Sequence, residues 1–166
     1  AQKNMGPAGV TLVIIRDDLV GKNYRELPTM LDYETHVKKN SMFNTPPVFS
    51  VFVVSETLKW LKGLGGLEAM AVINERKAGK LYAEIERNPL FRSPVNAEDR
   101  SLMNVPFVFK EDGMDDDAFL QFCDERGLQT LKGHRSVGGF RASIYNAMPE
   151  AGVDALIDAM REYETV

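Results

Sequence analysis

Cysteine is nearly missing. Cys123 is the single thiol in 166 residues, which excludes an internal disulfide framework and suits a reducing compartment. In a helical-looking stretch it reads as a small buried apolar residue. Histidine is almost as scarce, with His36 and His134 alone, and no Cys/His/Asp spacing has the form of a zinc site. There is no surplus of positive charge: Lys and Arg number 20 against 24 Asp and Glu, for a net charge of −4. Nothing electrostatic therefore favours a nucleic acid or a membrane surface as partner, and any anion must be held by local cationic groups. No apolar run approaches the roughly 20 residues of a membrane span, nothing resembles a signal peptide, and a cytoplasmic location is expected. Internal repeats and low-complexity tracts are absent as well.

What the chain does have is 44% apolar residues, enough for a sizeable core in one domain, or in a small domain plus part of another. It opens on Ala1 in the middle of what looks like a structured motif, so it is expected to be a piece of a longer protein. Residues 10–16, Val-Thr-Leu-Val-Ile-Ile-Arg, predict a buried strand. Asp17-Asp18-Leu19-Val20-Gly21 predicts one capped helical turn. Residues 22–47, with Pro28, Pro46 and Pro47, form a long irregular connection, and such loops usually serve function. Helices are predicted over 48–64 and from Leu67 to about Ile85, the second ended by Asn88-Pro89. Alternation of Met103, Val105, Phe107 and Phe109 predicts a half-buried strand, which Pro106 places at an edge or a bulge. A helix opened by Asp115-Asp116-Asp117 should end at Gly127. Short strands are expected over 128–131 and 140–145, and a last amphipathic helix over 150–163. The later part thus reads as a compact α+β layer.

Three constellations could carry chemistry. Lys3, followed by the turn Gly6-Pro7-Ala8-Gly9, is an amine presented on a stiff backbone. Partly desolvated, it would lose its proton readily and condense with a carbonyl. Taken alone, a lysine there is more often an exposed terminal charge. Ser41-Met42-Phe43-Asn44-Thr45-Pro46-Pro47 places hydroxyl and amide groups before a helix whose first N–H groups are unpaired, which makes either a phosphate corner or an ordinary cap by Asn44 or Thr45. Third, His134, Arg135 and Arg141 flank the turn Gly133-His134-Arg135-Ser136-Val137-Gly138-Gly139. Strand alternation puts Arg141 on one face with Ser143 and Tyr145, and an arginine within an apolar strand calls for an anionic partner. An imine-forming lysine, a phosphate corner and cations for a doubly acidic substrate belong together in a pyridoxal-phosphate enzyme.

These residues resemble the phosphoserine aminotransferase family, fold-type I pyridoxal-phosphate enzymes of serine biosynthesis. The match lies in residues 2–9, 41–47, Met103-Asn104-Val105-Pro106-Phe107, and from Gly133-His134-Arg135 to Ala147-Met148-Pro149, in order along the whole chain. The resemblance implies an α/β fold: residues 1–65 would be the end of the large cofactor-binding domain with the interdomain helix, and 66–166 the complete small α+β domain. It implies that Lys3 carries pyridoxal 5'-phosphate and is catalytic, and that Gln2 contacts the cofactor phosphate. Asn44 and Thr45 would reach the phosphate in the neighbouring subunit of a homodimer. Arg141 would anchor the α-carboxylate, and His134 and Arg135 the side-chain phosphate or γ-carboxylate. The reaction implied is ping-pong: glutamate gives up its amine, 2-oxoglutarate leaves, and 3-phosphohydroxypyruvate becomes phosphoserine.

The family's residues ahead of the lysine, including the acidic partner of the pyridine nitrogen and the aromatic that stacks on the ring, are not in this sequence. The isolated chain is therefore expected to be an inactive fragment. The alternative is a non-enzymatic α+β domain that binds an acidic metabolite through the late cations or serves in dimerisation, which leaves Lys3 and its turn without a purpose.

Overall fold

The structure is a computed structural model and describes residues 1–165. It divides into two compact units, Ala1–Gly63 and Leu64–Val166.

The second unit is built on a three-stranded antiparallel sheet in the order β1 (Phe91–Arg92), β2 (Asn104–Phe109), β3 (Phe140–Ser143). The register pairs Phe91 with Phe109, Asn104 with Ser143, and Pro106 with Arg141. Because strand side chains alternate, Val105, Phe107, Phe109, Phe140 and Ala142 all turn to one face and are buried, while Asn104, Pro106, Val108, Arg141 and Ser143 turn to the other. Pro106 sits in the middle strand, yet β1 pairs only with Val108 and Phe109, so at Pro106 the strand has a ladder on one side. That is the edge environment a residue without an N–H needs.

Three helices cover the buried face: α3 (Gly66–Arg87), α4 (Asp116–Asp124) and α5 (Glu150–Tyr163). On α3, Met70, Asn74, Lys77, Ala78, Leu81 and Ile85 recur every three or four residues and are buried. From α4 come Phe119 and Cys123, and from α5 Val153, Leu156, Ile157 and Met160. Phe91, Phe107, Phe109, Phe119 and Phe140 form the centre, with Phe119 4.9 Å from both Phe91 and Phe140. Burial pushes the Cys123 thiol up to about 11, against a small opposing effect of Arg126, so it is a protonated core residue as expected. Asp115 caps α4, accepting from the Asp117 and Ala118 amides at 3.0 and 3.1 Å.

Two buried charges fasten α3 to its neighbours. Lys77 is 0% exposed, and its ammonium donates to the carbonyls of Ile144, Tyr145 and Met148 at 3.3, 2.9 and 3.0 Å. It thereby satisfies the chain where β3 ends and α5 has not begun. Burial pulls its pKa below the ordinary 10.5, with the charge of Glu150 acting in the opposite sense. Glu84, also buried, accepts from Arg87 at 2.6 Å, Arg161 at 3.0 Å and Asn88 at 3.2 Å, which ties α3 to α5. Burial alone would raise its pKa. The hydrogen bonds from Arg87, Asn88 and Arg161 prevail and hold it below 4.5.

The first unit contains α1 (Tyr33–Val37) and α2 (Val48–Gly63), with single 3-10 turns at Asp17–Leu19 and Thr29–Leu31. The expected helical turn after Asp17 is present, and the long connection over 22–47 contains α1, capped by Asp32 through the Glu34 amide at 3.0 Å. The expected strand over 10–16 is not formed. Leu12, Val13 and Ile14 are exposed, Ile14 at 91%, and no ladder to this segment exists among the described residues. A β-branched apolar run fits a pleated surface but does not provide the neighbour that makes it a strand. The same holds for residues 128–131, where one isolated bridge, Lys132 to Phe140, replaces the expected strand. Helix α2 starts and ends close to the predicted limits, but its apolar side chains are not buried within the unit: Phe49 is 74% exposed and Phe52 58%.

Replacing Lys77 with Met keeps the volume and strands three carbonyls, so unfolding free energy from urea titration should drop by about 2–4 kcal/mol. For Glu84 the folded pKa lies below the unfolded one. Its contribution is therefore complete above pH 4.5 and is lost as pH falls through the depressed value. Acid titration of stability should show that loss, with a shallower slope for Glu84→Gln.

Candidate functional site

The candidate residues fall into two sets, one in each unit. In the first unit, the Lys3 carbonyl accepts from the Gly6 amide at 3.1 Å, closing a turn directly after the lysine. That turn is fixed to α2. Ser50 Oγ donates to the Ala8 carbonyl at 3.1 Å, and a Cβ on Gly9 would come within 2.7 Å of Ser50 Oγ, so only glycine fits. A Cβ on Gly6, where φ is 138°, would stand 3.0 Å from Val54 Cγ2. Lys3 is exposed, not partly buried as expected, but its backbone is held by this packing. Gln2 is exposed beside it.

Asn44 and Thr45 are also exposed. Because α2 begins at Val48, its cap position falls on Pro47, and neither Asn44 nor Thr45 is the cap. The Asn44 amide meets Met30 Sδ at 3.6 Å, and Thr45 precedes the two prolines that lead into the helix. Both sequence motifs of this unit are thus organised around α2: the lysine turn packs on Ser50 and Val54, and the Asn44-Thr45 segment feeds the helix's first turn.

In the second unit, the glycine-rich turn is closed by the Gly133 amide donating to the Gly139 carbonyl at 2.7 Å and the Gly138 amide donating to the His134 carbonyl at 2.8 Å. Gly138 and Gly139 take φ of 74° and 58°. His134 Nδ1 lies 2.7 Å from Ser136 Oγ and accepts from the Ser136 amide at 3.3 Å. In the neutral ring an accepting Nδ1 leaves the N–H on Nε2, which can donate a hydrogen bond to an anion. His134 and Arg135 line an open groove of about 700 Å³ that also takes Arg92, Val108 and Lys132. The opposite rim is acidic, running from Glu111 to Asp117, and Lys132 pairs with Asp117 at 3.4 Å. The acidic run therefore faces this groove as well as opening α4, a placement that sequence reasoning did not anticipate.

Arg141 is not among the groove's lining residues. It lies on the same sheet face, opposite Pro106, two residues along from Val108, which does line the groove. As predicted from alternation, Ser143 and Tyr145 accompany it: both hydroxyls reach Asn104 Oδ1, at 3.2 and 3.3 Å. The Nε of Arg141 is shielded from solvent and has no hydrogen-bond partner among the described residues. A buried donor without an acceptor costs about 1–3 kcal/mol, and an anion arriving at that edge would remove the penalty. Sequence reasoning picked out Asn104 only as part of a motif, because nothing in a strand's alternation says which residue faces it across the ladder.

Comparison with known proteins follows the same lines. The family model of class-V aminotransferases matches residues 1–156. The phosphoserine aminotransferase of Azobacteroides pseudotrichonymphae is 53% identical over 167 residues, with 100% of this chain and 46% of that protein covered. That of Bacillus cereus strain ATCC 14579 is 53% identical over 164 residues, covering 99% and 45%. Among solved structures, a phosphoserine aminotransferase studied for radiation damage of its Schiff base superposes with a TM-score of 0.92 at 44% identity, over 99% of this chain and 46% of that one. The pyridoxal-phosphate-bound phosphoserine aminotransferase of Trichomonas vaginalis gives 0.82 at 44% identity, over 89% and 42%. The chain spans about half the length of the curated relatives it matches.

The turn's geometry can be tested directly. A Cβ on Gly133 would stand 2.0 Å from the Gly138 carbonyl oxygen, a backbone atom that cannot turn aside. Gly133→Ala should lower the unfolding free energy by roughly 2 kcal/mol or more, and amide hydrogen exchange should quicken first over residues 133–139.

Proposed function

Since the chain belongs to the class-V aminotransferase family and has the fold of the fold-type I aminotransferases, we propose that it is the C-terminal portion of a phosphoserine aminotransferase. Such an enzyme passes the amino group of glutamate to 3-phosphohydroxypyruvate and yields phosphoserine and 2-oxoglutarate in serine biosynthesis. The observation that carries this reading is the unpaired, shielded Nε of Arg141, in a chain 53% identical along its whole length to enzymes of that name. On this reading residues 1–65 end the large cofactor domain and 66–166 are the small domain.

The residues present fit pyridoxal 5'-phosphate in kind. Lys3 has the primary amine that an aldehyde cofactor requires, on a turn that packing against Ser50 holds in place. Gln2 beside it, and Asn44 and Thr45 before α2, offer neutral donors to a phosphate. When bound, the cofactor supplies the electron sink that lets a proton leave an amino acid's α-carbon. The protein's share is positional. Lys3 holds the cofactor and carries the proton to and from that carbon. Arg141 binds the α-carboxylate common to both amino acids. His134, through Nε2–H, and Arg135 take the distal phosphate or γ-carboxylate.

Asn44 and Thr45 act on the partner subunit's cofactor, so the working protein is a homodimer. A cytoplasmic setting agrees with the one buried, protonated thiol. Catalysis belongs to a chain as long as the relatives, of which 46% is covered here, and the 166 residues alone turn over slowly or not at all.

Adding pyridoxal phosphate to the 166-residue chain should give a visible absorption band, and borohydride should fix a covalent adduct that peptide mass mapping finds at Lys3. Lys3→Ala should abolish both. A normal aminotransferase turnover by this chain, or an adduct unaffected by Lys3→Ala, contradicts the reading; the second result would favour a domain that only binds acidic metabolites.

A further inference from the structure

Asn104 is the residue that the proposed reaction leaves without a part, and its surroundings give it one. Its Oδ1 accepts from Ser143 Oγ at 3.2 Å and Tyr145 Oη at 3.3 Å. Both hydroxyls belong to the face of β3 and its continuation that carries Arg141. Asn104 is paired with Ser143 and Arg141 with Pro106, so Asn104 and Arg141 are diagonal neighbours on one face, roughly 7–8 Å apart.

Two hydroxyl donors converging on one oxygen would be satisfied at least as well by a carboxylate, since ionised acceptors make the stronger hydrogen bonds. An aspartate here, however, would set a fixed negative charge beside Arg141. That charge would attract the Arg141 guanidinium and compete there with any outside anion. Asparagine accepts both hydroxyls without that charge.

We propose that Asn104 is a positioning residue for the Arg141 site: a neutral acceptor that gathers the Ser143 and Tyr145 hydroxyls on that face while leaving the guanidinium's charge and its Nε–H to a carboxylate ligand. This rests on the reading of Arg141 as the α-carboxylate anchor. It adds that the site's ability to take a carboxylate depends on the lack of charge at position 104, and that the ligand docks on the Nε edge of the guanidinium.

The test needs neither cofactor nor turnover. In the uniformly ¹⁵N-labelled 166-residue chain, the Arg141 Nε–H resonance, assigned by its loss in Arg141→Lys, is followed during titration with L-glutamate. Isoglutamine, in which the α-carboxylate is an amide, is the control. Glutamate should shift the resonance saturably and isoglutamine should not. Asn104→Asp should retain the thermal midpoint and the two hydroxyl hydrogen bonds yet weaken glutamate at Arg141 by about tenfold or more, because a like charge at that separation competes with the ligand. Asn104→Leu, which loses the acceptor without adding charge, should weaken it less.

Wild-type affinity in Asn104→Asp overturns the inference and leaves the anchor reading intact. Equal weakening by Asp and Leu also overturns it, since charge would then play no part. If glutamate leaves the Arg141 resonance of the unmodified chain unmoved, or isoglutamine moves it as far, the anchor reading itself falls, and this inference with it.

Discussion

The register between β2 and β3 is the constraint on which the second unit depends. With Phe107 opposite Phe140 and Val105 opposite Ala142, every inward residue of both strands reaches the phenylalanine core, and every outward one reaches the polar face. A slip of one residue would turn Arg141 and Ser143 into the space that Phe119 and Phe91 fill, and expose Phe140. The core therefore fixes the position of Arg141 more firmly than any hydrogen bond made by the arginine itself. The same register brings Asn104 to Ser143.

Buried polar groups then fix what the sheet cannot. Beyond Ser143 the chain leaves the ladder, and its carbonyls at Ile144, Tyr145 and Met148 would be unpaired without the Lys77 ammonium. Tyr145 belongs to the polar face, so a lysine on α3 holds the backbone whose side chain reaches Asn104. Glu84 does the corresponding work at the other end of α3, where Arg87, Arg161 and Asn88 tie that helix to α5. Removing the Lys77 ammonium leaves three carbonyls without a donor, so the cost comes mainly from what is left behind, whereas Arg87 and Arg161, about half exposed, can turn to water when Glu84 is lost.

Legibility followed the locality of the signal. Helix α5 was readable to its limits, because its apolar stripe and both ends lie within one stretch of sequence. Strand β2 was readable from alternation, but Pro106 pointed to an edge strand or a bulge, whereas β2 is the middle strand and is left open on one side only around Pro106. Residues 10–16 and 128–131 misled for one reason: composition reports how a segment would suit a sheet, and pairing depends on residues far away in sequence. The short β1, two residues long, carries no periodic signal at all. At the candidate site the residue types were legible and the grouping was only partly so. His134 and Arg135 share a groove because they share a turn. The acidic run from Glu111 to Asp117 reaches the groove, and Asn104 meets Ser143 and Tyr145, through tertiary contacts that no local pattern records.

The cations of the second unit rest on two kinds of scaffold, and on the proposed reading that difference matches the chemistry. Arg141 is held by a strand whose other face is locked into the core, with Ser143 and Tyr145 beside it tied to Asn104. His134 and Arg135 sit on an exposed turn between glycines, with no covering core. Both amino acids in the reaction have the same α-carboxylate, and a rigid anchor suits a group that never changes. Their distal groups differ in shape and charge, a tetrahedral phosphate in one and a planar carboxylate in the other. Side chains on an exposed turn are less confined to one geometry than a side chain on a strand locked into the core, which suits a site that must take both. Rigidity at the shared group and compliance at the variable one would let a single set of cations serve two substrates in alternation without a change of register anywhere in the fold.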